Sequence, residues 1–127
     1  MDEKKYKVLV AEDDKFLSKA FKDKLERSSF IVTVVSDGKE AIESLKKDKP
    51  DVMLLDLVMP IKDGFEVLQE MKIDSKITKV PVIILSNLGQ DSDVKKGIEL
   101  GAVDYLIKAD FTISDVVKKI KEHLAKK

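Results

Sequence analysis

Five short apolar runs, each followed by a segment with helical spacing, limit the folds open to this chain more than any other feature. The runs are residues 6–11, 30–35, 52–55, 80–85 and 103–107. The last four are nearly continuous in apolar residues, mainly valine, isoleucine, leucine and methionine. This composition is typical of strands that are covered on both faces of a parallel sheet. We therefore expect five parallel strands.

Between the runs, apolar residues recur every three or four positions, which predicts a helix after each strand. The first helix is expected over residues 14–28 and the second over 38–47, the third follows Gly64, the fourth follows Asp91, and the last covers 113–124. Strand and helix thus alternate five times. This order predicts an α/β fold of three layers, a doubly wound five-stranded parallel sheet with right-handed crossovers.

Individual residues refine this scheme. We expect Phe16, Phe21 and Phe65 in the core. At the ends of the helices, the sequence indicates three caps: Asp91 or Ser92 at the start of the fourth helix, Gly101 at its end, and a capping box of Thr112 with Asp115 at the start of the last.

The composition restricts the classes of function. The chain has 127 residues without a composition shift or linker, so residues 1–127 are expected to form one domain. Its 24 basic and 24 acidic residues cancel, which argues against direct nucleic-acid binding. Cysteine is absent, which excludes disulfides and thiolate metal sites. The charged residues 1–6 and the lack of a long apolar run indicate a cytoplasmic protein without a membrane segment.

Acidic and polar side chains follow four of the predicted strands. Glu12 and Asp13 follow the first strand, Asp56 the third, Ser86 the fourth and Lys108 the fifth. Ligands of open α/β sheets bind beyond the carboxyl ends of the strands, so we expect these side chains to converge at one edge of the sheet.

Clustered carboxylates repel one another and need a cation, and hard oxygen ligands favour Mg²⁺, with Mn²⁺ as an alternative. A carboxylate can also attack phosphorus, a step that needs a metal and a fixed positive charge. Lys108 could supply that charge and Ser86 a hydrogen bond. Taken alone, each of these residues also has a structural interpretation. Asp14 and Ser86 would be helix caps, and Lys108 would be a surface lysine. A buried, unpaired Asp56 would be costly.

The residues quoted above resemble the receiver domain of two-component response regulators. The stretches that carry the resemblance are Val-Leu-Val-Ala-Glu-Asp-Asp over 8–14, Asp-Leu-Val-Met-Pro-Ile-Lys-Asp-Gly over 56–64, Ser86 and Lys108. The resemblance covers essentially the whole chain. It implies a stand-alone, chemotaxis-regulator-like receiver with a flavodoxin-like sheet in the order 2-1-3-4-5.

The resemblance also implies roles for the residues at this edge. Asp56 would be the phosphoacceptor, which takes its phosphoryl group from a histidine kinase or a phosphotransfer protein. Glu12 and Asp13 would be the acidic pair, with Asp13, Asp56 and the backbone carbonyl of Val58 on Mg²⁺. The protein would be a regulatory domain that catalyses only its own phosphorylation and dephosphorylation.

A switch is implied as well. Ser86 and Lys108 would contact the phosphoryl group, and Tyr105 matches the aromatic switch position. Phosphorylation would reshape the surface of the fourth helix, fifth strand and fifth helix for a downstream protein. Val58 and Leu88 occupy the positions that tune phosphoryl hydrolysis in the family, and both are apolar here.

Two positions depart from the family pattern. Ala109 replaces the usual proline after the lysine, which makes a cis bond there costly. Asn87 replaces a small residue beside the path of Tyr105. His123, the only histidine, cannot form a transition-metal site alone. It is expected near the end of the last helix, where its imidazole would interact favourably with the helix dipole.

Three other functions are conceivable. An adaptor that works without phosphorylation would need a broken site, and only the Lys108–Ala109 step suggests one. A haloacid-dehalogenase-like phosphatase would need an Asp-x-Asp pattern on the first strand, which Glu12-Asp13-Asp14 does not match. A flavodoxin-like flavin protein fits on fold alone, but the acids after the first strand would repel the flavin phosphate.

Overall fold

The computed structural model describes residues 5–126 as five strands and five α-helices in strict alternation; residues 1–4 and 127 lie outside the described part. The strands are β1 Lys7–Ala11, β2 Ile31–Val35, β3 Val52–Leu55, β4 Val82–Ser86 and β5 Asp104–Ile107. The helices are α1 Lys15–Arg27, α2 Gly38–Lys47, α3 Gly64–Ile73, α4 Asp91–Glu99 and α5 Ile113–Ala125, and a 3₁₀ turn covers Lys108–Asp110.

All strand pairs are parallel and lie in the order β2-β1-β3-β4-β5. The doubly wound, flavodoxin-like fold and the strand order are therefore confirmed. The boundaries of β4 moved: it begins at Val82 rather than at residue 80, since Pro81 has no N–H to offer a ladder. The other end lies one residue later than predicted, so that Ser86 is the last residue of β4.

Two apolar clusters, one on each face of the sheet, hold the three layers together. On one face, α1 and α5 cover Val8, Val10 and Leu54. On the other face, α2 and α3 cover Leu9 and Met53. Neighbouring residues of a strand point to opposite faces, and in β1 and β3 they belong to the two clusters in turn. Both faces of these strands are therefore buried, which explains their continuous apolar sequence.

Within residues 5–126, no helix is long and apolar enough to cross a bilayer.

The second run is covered less completely than expected. β2 lies at the edge of the sheet, where Ile31 is 46% exposed and Thr33 is also exposed. The prediction that this strand is covered on both faces was wrong, because an edge strand has a neighbour on one side only and its β-branched residues are here only partly covered by helices.

Phe16 was also misplaced. It is 91% exposed in the first turn of α1, whereas Ser18 in the same turn is 7% exposed and Phe21 is 2% exposed in the core. At 3.6 residues per turn, Phe16 lies on the side of α1 opposite to Phe21 and therefore faces solvent. Phe65 is partly buried against the α2–α3 cluster. The buried face of α1 contains Ser18, Phe21 and Leu25, so a polar serine lies on the face towards the sheet and the large Phe16 does not.

Two of the three predicted caps are confirmed and one is wrong. Thr112 and Asp115 form the expected capping box, and Gly101 follows α4 with a φ of 109°, a conformation that glycine adopts without strain. At the start of α4, however, the N-cap is Gln90 without a side-chain hydrogen bond, so neither Asp91 nor Ser92 caps it.

The different positions of two phenylalanines predict different stabilities. Phe21→Ala should lower the free energy of unfolding by about 3–5 kcal/mol because it leaves a cavity in the core. Phe16→Ala, as the matched control, should change it by less than about 0.5 kcal/mol. Urea denaturation followed by circular dichroism measures both values. A large loss for Phe16→Ala would contradict its exposed position.

Candidate functional site

The carboxyl ends of four neighbouring strands bring the predicted site residues together. Glu12 follows β1, Asp56 follows β3, Ser86 ends β4 and Lys108 follows β5. Glu12, Asp56 and Ser86 are buried, at 4%, 5% and 0% exposure, while Asp13 is open to solvent. Polar side chains at the ends of four separate strands form a site only if they interact with one another.

Three carboxylates lie close enough to share a cation. One carboxylate oxygen from each of Glu12, Asp13 and Asp56 lies within 4.8 Å of the others. An all-oxygen cluster of this kind fits a hard divalent ion such as Mg²⁺, which binds through one or two carboxylates and keeps several waters. The exposed Asp13 leaves the cluster open to solvent on one side.

Lys108 supplies the positive charge of the site. Its Nζ lies 2.7 Å from Glu12 Oε1 and 3.0 Å from Asp56 Oδ2, so one ammonium bridges two buried carboxylates. Burial alone would lower the pKa of Lys108, but its hydrogen bonds to Glu12 and Asp56 outweigh that effect and raise the pKa. The lysine stays charged. No peptide bond within residues 5–126 is cis. Lys108 therefore reaches Asp56 with a trans bond to Ala109, the residue that replaces the usual proline.

At Glu12 burial outweighs the hydrogen bonds. Burial raises the pKa of Glu12 to about 7, with a further contribution from the charge of Asp56. Hydrogen bonds from Lys108 and from the backbone N–H of Asp14 lower the pKa but do not cancel the burial. The raised pKa shows that full ionisation of Glu12 beside Asp56 is unfavourable. A divalent ion at the cluster of Glu12, Asp13 and Asp56 would relieve this repulsion.

The loop after β3 is fixed beside Asp56 by two short-range bonds. Asp56 Oδ1 accepts the N–H of Val58 at 3.3 Å, and the carbonyl of Leu57 accepts the N–H of Gly64 at 2.9 Å. A side chain on Gly64 would place a Cβ 2.5 Å from the Asp56 carbonyl oxygen, so only glycine permits this close approach. Gly64 appeared in the sequence motif, but its packing against Asp56 could not be inferred there.

The end of β4 connects the site to Tyr105. Ser86 Oγ accepts the N–H of Leu88 at 3.3 Å, and the hydroxyl of Tyr105 donates to the carbonyl of the same Leu88. Burial raises the pKa of Tyr105 to about 12, with contributions from the charges of Asp93 and Asp56. The Leu88 carbonyl was not foreseen, because a backbone acceptor leaves no trace in the sequence.

The side chains of Val58 and Leu88 are 58% and 37% exposed, so both flank the site without entering the core. Asn87 is exposed as well. His123 lies away from this edge, with its Nε2 2.9 Å from Asp104 Oδ2, so it ties α5 to β5. The sequence indicated no metal role for His123, and the pairing with Asp104 was missed because the two residues are distant in the chain.

The model of the response regulator receiver domain family matches residues 8–121. The chain belongs to this family. The probable transcriptional regulator ycf27 of Guillardia theta is 41% identical over 84% of this chain and 41% of its own length. The chain spans about half the length of the curated relatives it matches.

Two solved receiver structures are similar along nearly their whole length. The receiver domain of the Francisella response regulator 1452 is 34% identical with a TM-score of 0.87, over 95% of this chain and 98% of that chain. The phosphorylated cyanobacterial phytochrome response regulator RcpA is 30% identical with a TM-score of 0.85, over 96% and 95%. As a receiver domain of two-component systems, the chain is a signalling module, and its acidic pocket is compatible with Mg²⁺.

The charge imbalance of the receiver site predicts a link between Mg²⁺ and stability. In metal-free buffer Asp13→Asn should raise the Tm by about 2–5 °C, because it removes one of three clustered negative charges. Mg²⁺ should raise the Tm of the native chain, since a ligand of the folded state stabilises it, and should have much less effect on the variant.

Differential scanning fluorimetry with and without Mg²⁺ measures both shifts. Asp23→Asn is the matched control, because Asp23 is an exposed aspartate on α1 and should behave like the native chain. An equal response of Asp13→Asn and the native chain to Mg²⁺ would place the ion elsewhere.

Proposed function

We propose that this receiver domain accepts a phosphoryl group on Asp56 from a histidine kinase or a phosphotransfer protein, with Mg²⁺ bound at the acidic cluster. The observation that carries the proposal is the environment of Asp56. Its carboxylate is 5% exposed, shares a 4.8 Å cluster with two further acids and lies 3.0 Å from the ammonium of Lys108. An aspartate with a purely structural role would need only the ion pair with Lys108 and not the two neighbouring acids.

In the proposed transfer, an oxygen of Asp56 forms a bond to phosphorus while the bond from phosphorus to the donor breaks, and the electron pair leaves with the donor. Asp56 Oδ2 is held by Lys108 and Oδ1 by the Val58 N–H, so the carboxylate is already oriented for the attack. Lys108 then neutralises charge on a phosphoryl oxygen, and Ser86 donates a hydrogen bond to another.

The metal would be held by the carboxylates of Glu12, Asp13 and Asp56, with the backbone carbonyl of Val58 as a further ligand. When bound, Mg²⁺, or Mn²⁺ in its place, supplies positive charge next to the transferring oxygens. The residues present suit this ion because all the side-chain donors are oxygens.

Phosphorylation would be read out through Ser86 and Tyr105. We propose that Ser86 turns towards the phosphoryl group and gives up its bond to the Leu88 N–H, which loosens the loop whose carbonyl holds Tyr105. The α4 helix has only Gly97 buried, so it can shift at low cost. The surface of α4, β5 and α5 would then be the binding site for a downstream protein.

The domain as a whole would be a regulator rather than an enzyme that turns over an external substrate. We propose that residues 1–127 form this one domain, that it acts in the cytoplasm, and that it contacts proteins rather than nucleic acid. The equal number of acidic and basic residues supports the last point. Lys108 within reach of Asp56 speaks against an adaptor with a broken site.

Phosphorylation at Asp56 can be tested directly. Incubation with acetyl phosphate and Mg²⁺ should add one phosphoryl group to the native chain and none to Asp56→Asn, as measured by intact-protein mass spectrometry. The exposed-aspartate control Asp23→Asn should be modified like the native chain. Modification of Asp56→Asn to the native extent would show that another residue is the acceptor.

The apolar residues beside the site predict a slow loss of the phosphoryl group. Neither Val58 nor Leu88 can orient an attacking water by hydrogen bonding, so the native chain should dephosphorylate several-fold more slowly than the Val58→Asn, Leu88→Glu double variant. Decay of the phosphorylated mass with time gives both rates. Ile73→Asn, which changes another exposed apolar residue at the far end of α3, is the control. Equal or faster decay of the native chain would refute the prediction.

A further inference from the structure

The outer side of β2 is an open strand edge. Within residues 5–126, β2 pairs with β1 and with no other strand. The N–H of Ile31 donates to Tyr6 and the carbonyl of Val35 accepts from Glu12, so these residues turn their backbone groups towards β1. Backbone groups alternate in direction along a strand, so Val32 and Val34 direct their N–H and C=O groups outwards.

Local hydrogen bonds limit the unpaired part of β2 at both ends. Before it, the N–H of Phe30 donates to the carbonyl of Leu25 at 3.0 Å. After it, the N–H of Ser36 donates to Glu40 Oε1 at 2.8 Å. The outward-facing N–H groups that need a partner are therefore those of Val32 and Val34. They lie symmetrically about Thr33.

The edge lacks the features by which proteins block such strands. Edge strands usually carry a lysine, a proline or a bulge. β2 reads Ile-Val-Thr-Val-Val, without a charge or a proline, and its register with β1 is unbroken over all five residues. Its Thr33 is exposed, and Ile31 is 46% exposed. The strand is thus uncharged, accessible and composed entirely of β-branched residues, which favour sheet pairing.

We propose that this edge binds a second copy of the same chain by antiparallel β2–β2 pairing, with the two-fold axis at Thr33. Val32 of one copy then lies opposite Val34 of the other, and each pair exchanges two backbone hydrogen bonds. All four outward groups of each strand are satisfied. Thr33 faces Thr33 across the axis, and Ile31 faces Val35, which are favourable cross-strand pairs.

The charges beside the edge fit this symmetry. A groove of about 520 Å³ runs between β2 and α2, and on the α2 side it is lined by Glu40, Glu43, Ser44, Lys47 and Asp48. The acids Glu40 and Glu43 lie towards the start of α2 and Lys47 towards its end. An antiparallel two-fold places the acidic end of one groove against the Lys47 end of the other. Asp48 is already neutralised by Lys7, whose Nζ lies 2.7 Å away.

The paired sheet would have ten strands, with the two Asp56 sites at opposite ends because the strands of the two copies run in opposite directions. The contact leaves β5, α4 and α5 free. Association should therefore be independent of phosphorylation and equal in Asp56→Asn. Since the open section is short, the dimer should be weak and concentration-dependent.

Sedimentation equilibrium of the full chain, from about 10 μM to about 1 mM, tests the pairing. The native chain should shift from monomer to dimer over this range. Thr33→Lys should raise the dissociation constant roughly tenfold or more, because it sets two like charges face to face at the axis. Thr33→Glu should do the same, and an equimolar mixture of the two variants should associate again. Lys39→Glu, on α2 but outside the groove lining, should associate like the native chain.

A native chain that stays monomeric at every concentration would overturn the proposal, and a foreign extended peptide would then be the alternative occupant of the edge. A dimer that persists in Thr33→Lys, or a mixture that fails to restore association, would also overturn it. Circular dichroism checks that the variants fold. If they do not, the amide NMR signals of Val32 and Val34 in the native chain decide: they should shift with concentration, and constant signals would refute the pairing.

Discussion

The bridge from Lys108 to two buried carboxylates is the interaction on which the site depends. An ionised carboxylate away from water is costly unless it is paired, and here Glu12 and Asp56 share one ammonium while Asp13 adds a third acid nearby. The ammonium holds Asp56 in place but cannot neutralise the cluster. The folded chain therefore carries an unbalanced negative charge at the one place where a divalent ion and a phosphoryl group would both lower the energy.

The fold creates this arrangement because of its parallel strands. All five strands end at the same edge, so residues separated by as many as 52 positions, such as Asp56 and Lys108, meet without any local sequence signal. The apolar strands serve as a rigid base, and short loops carry the reactive groups. Gly64 shows how tightly that base constrains the site, since a methyl group there would collide with the Asp56 carbonyl. The outermost strand beside β1, β2, contributes no side chain to the site, and its outer side is available for pairing with another strand.

Much of the fold and of the candidate site could be predicted from the sequence. Continuous apolar runs predicted the parallel sheet, since burial on both faces leaves no alternation, and acids after strand ends predicted the edge at which they meet. The strand order came from the resemblance to receiver domains, because spacing alone does not determine order. The failures have physical causes: Phe16 lies on the solvent side of α1, opposite to the buried Phe21, and β2 has the composition of a covered strand although it lies at an exposed edge. The bonds from Tyr105 to the Leu88 carbonyl and from His123 to Asp104 depend on tertiary contact and could not be read from the chain.

The most direct test of the central claim is the position of a divalent ion in a crystal of the native chain soaked with Mn²⁺, located by its anomalous scattering. One strong peak is expected in contact with carboxylate oxygens of Asp13 and Asp56, at roughly the 2.0–2.1 Å typical of a small hard cation. Full occupancy at another position, or an empty acidic cluster at saturating Mn²⁺, would contradict it.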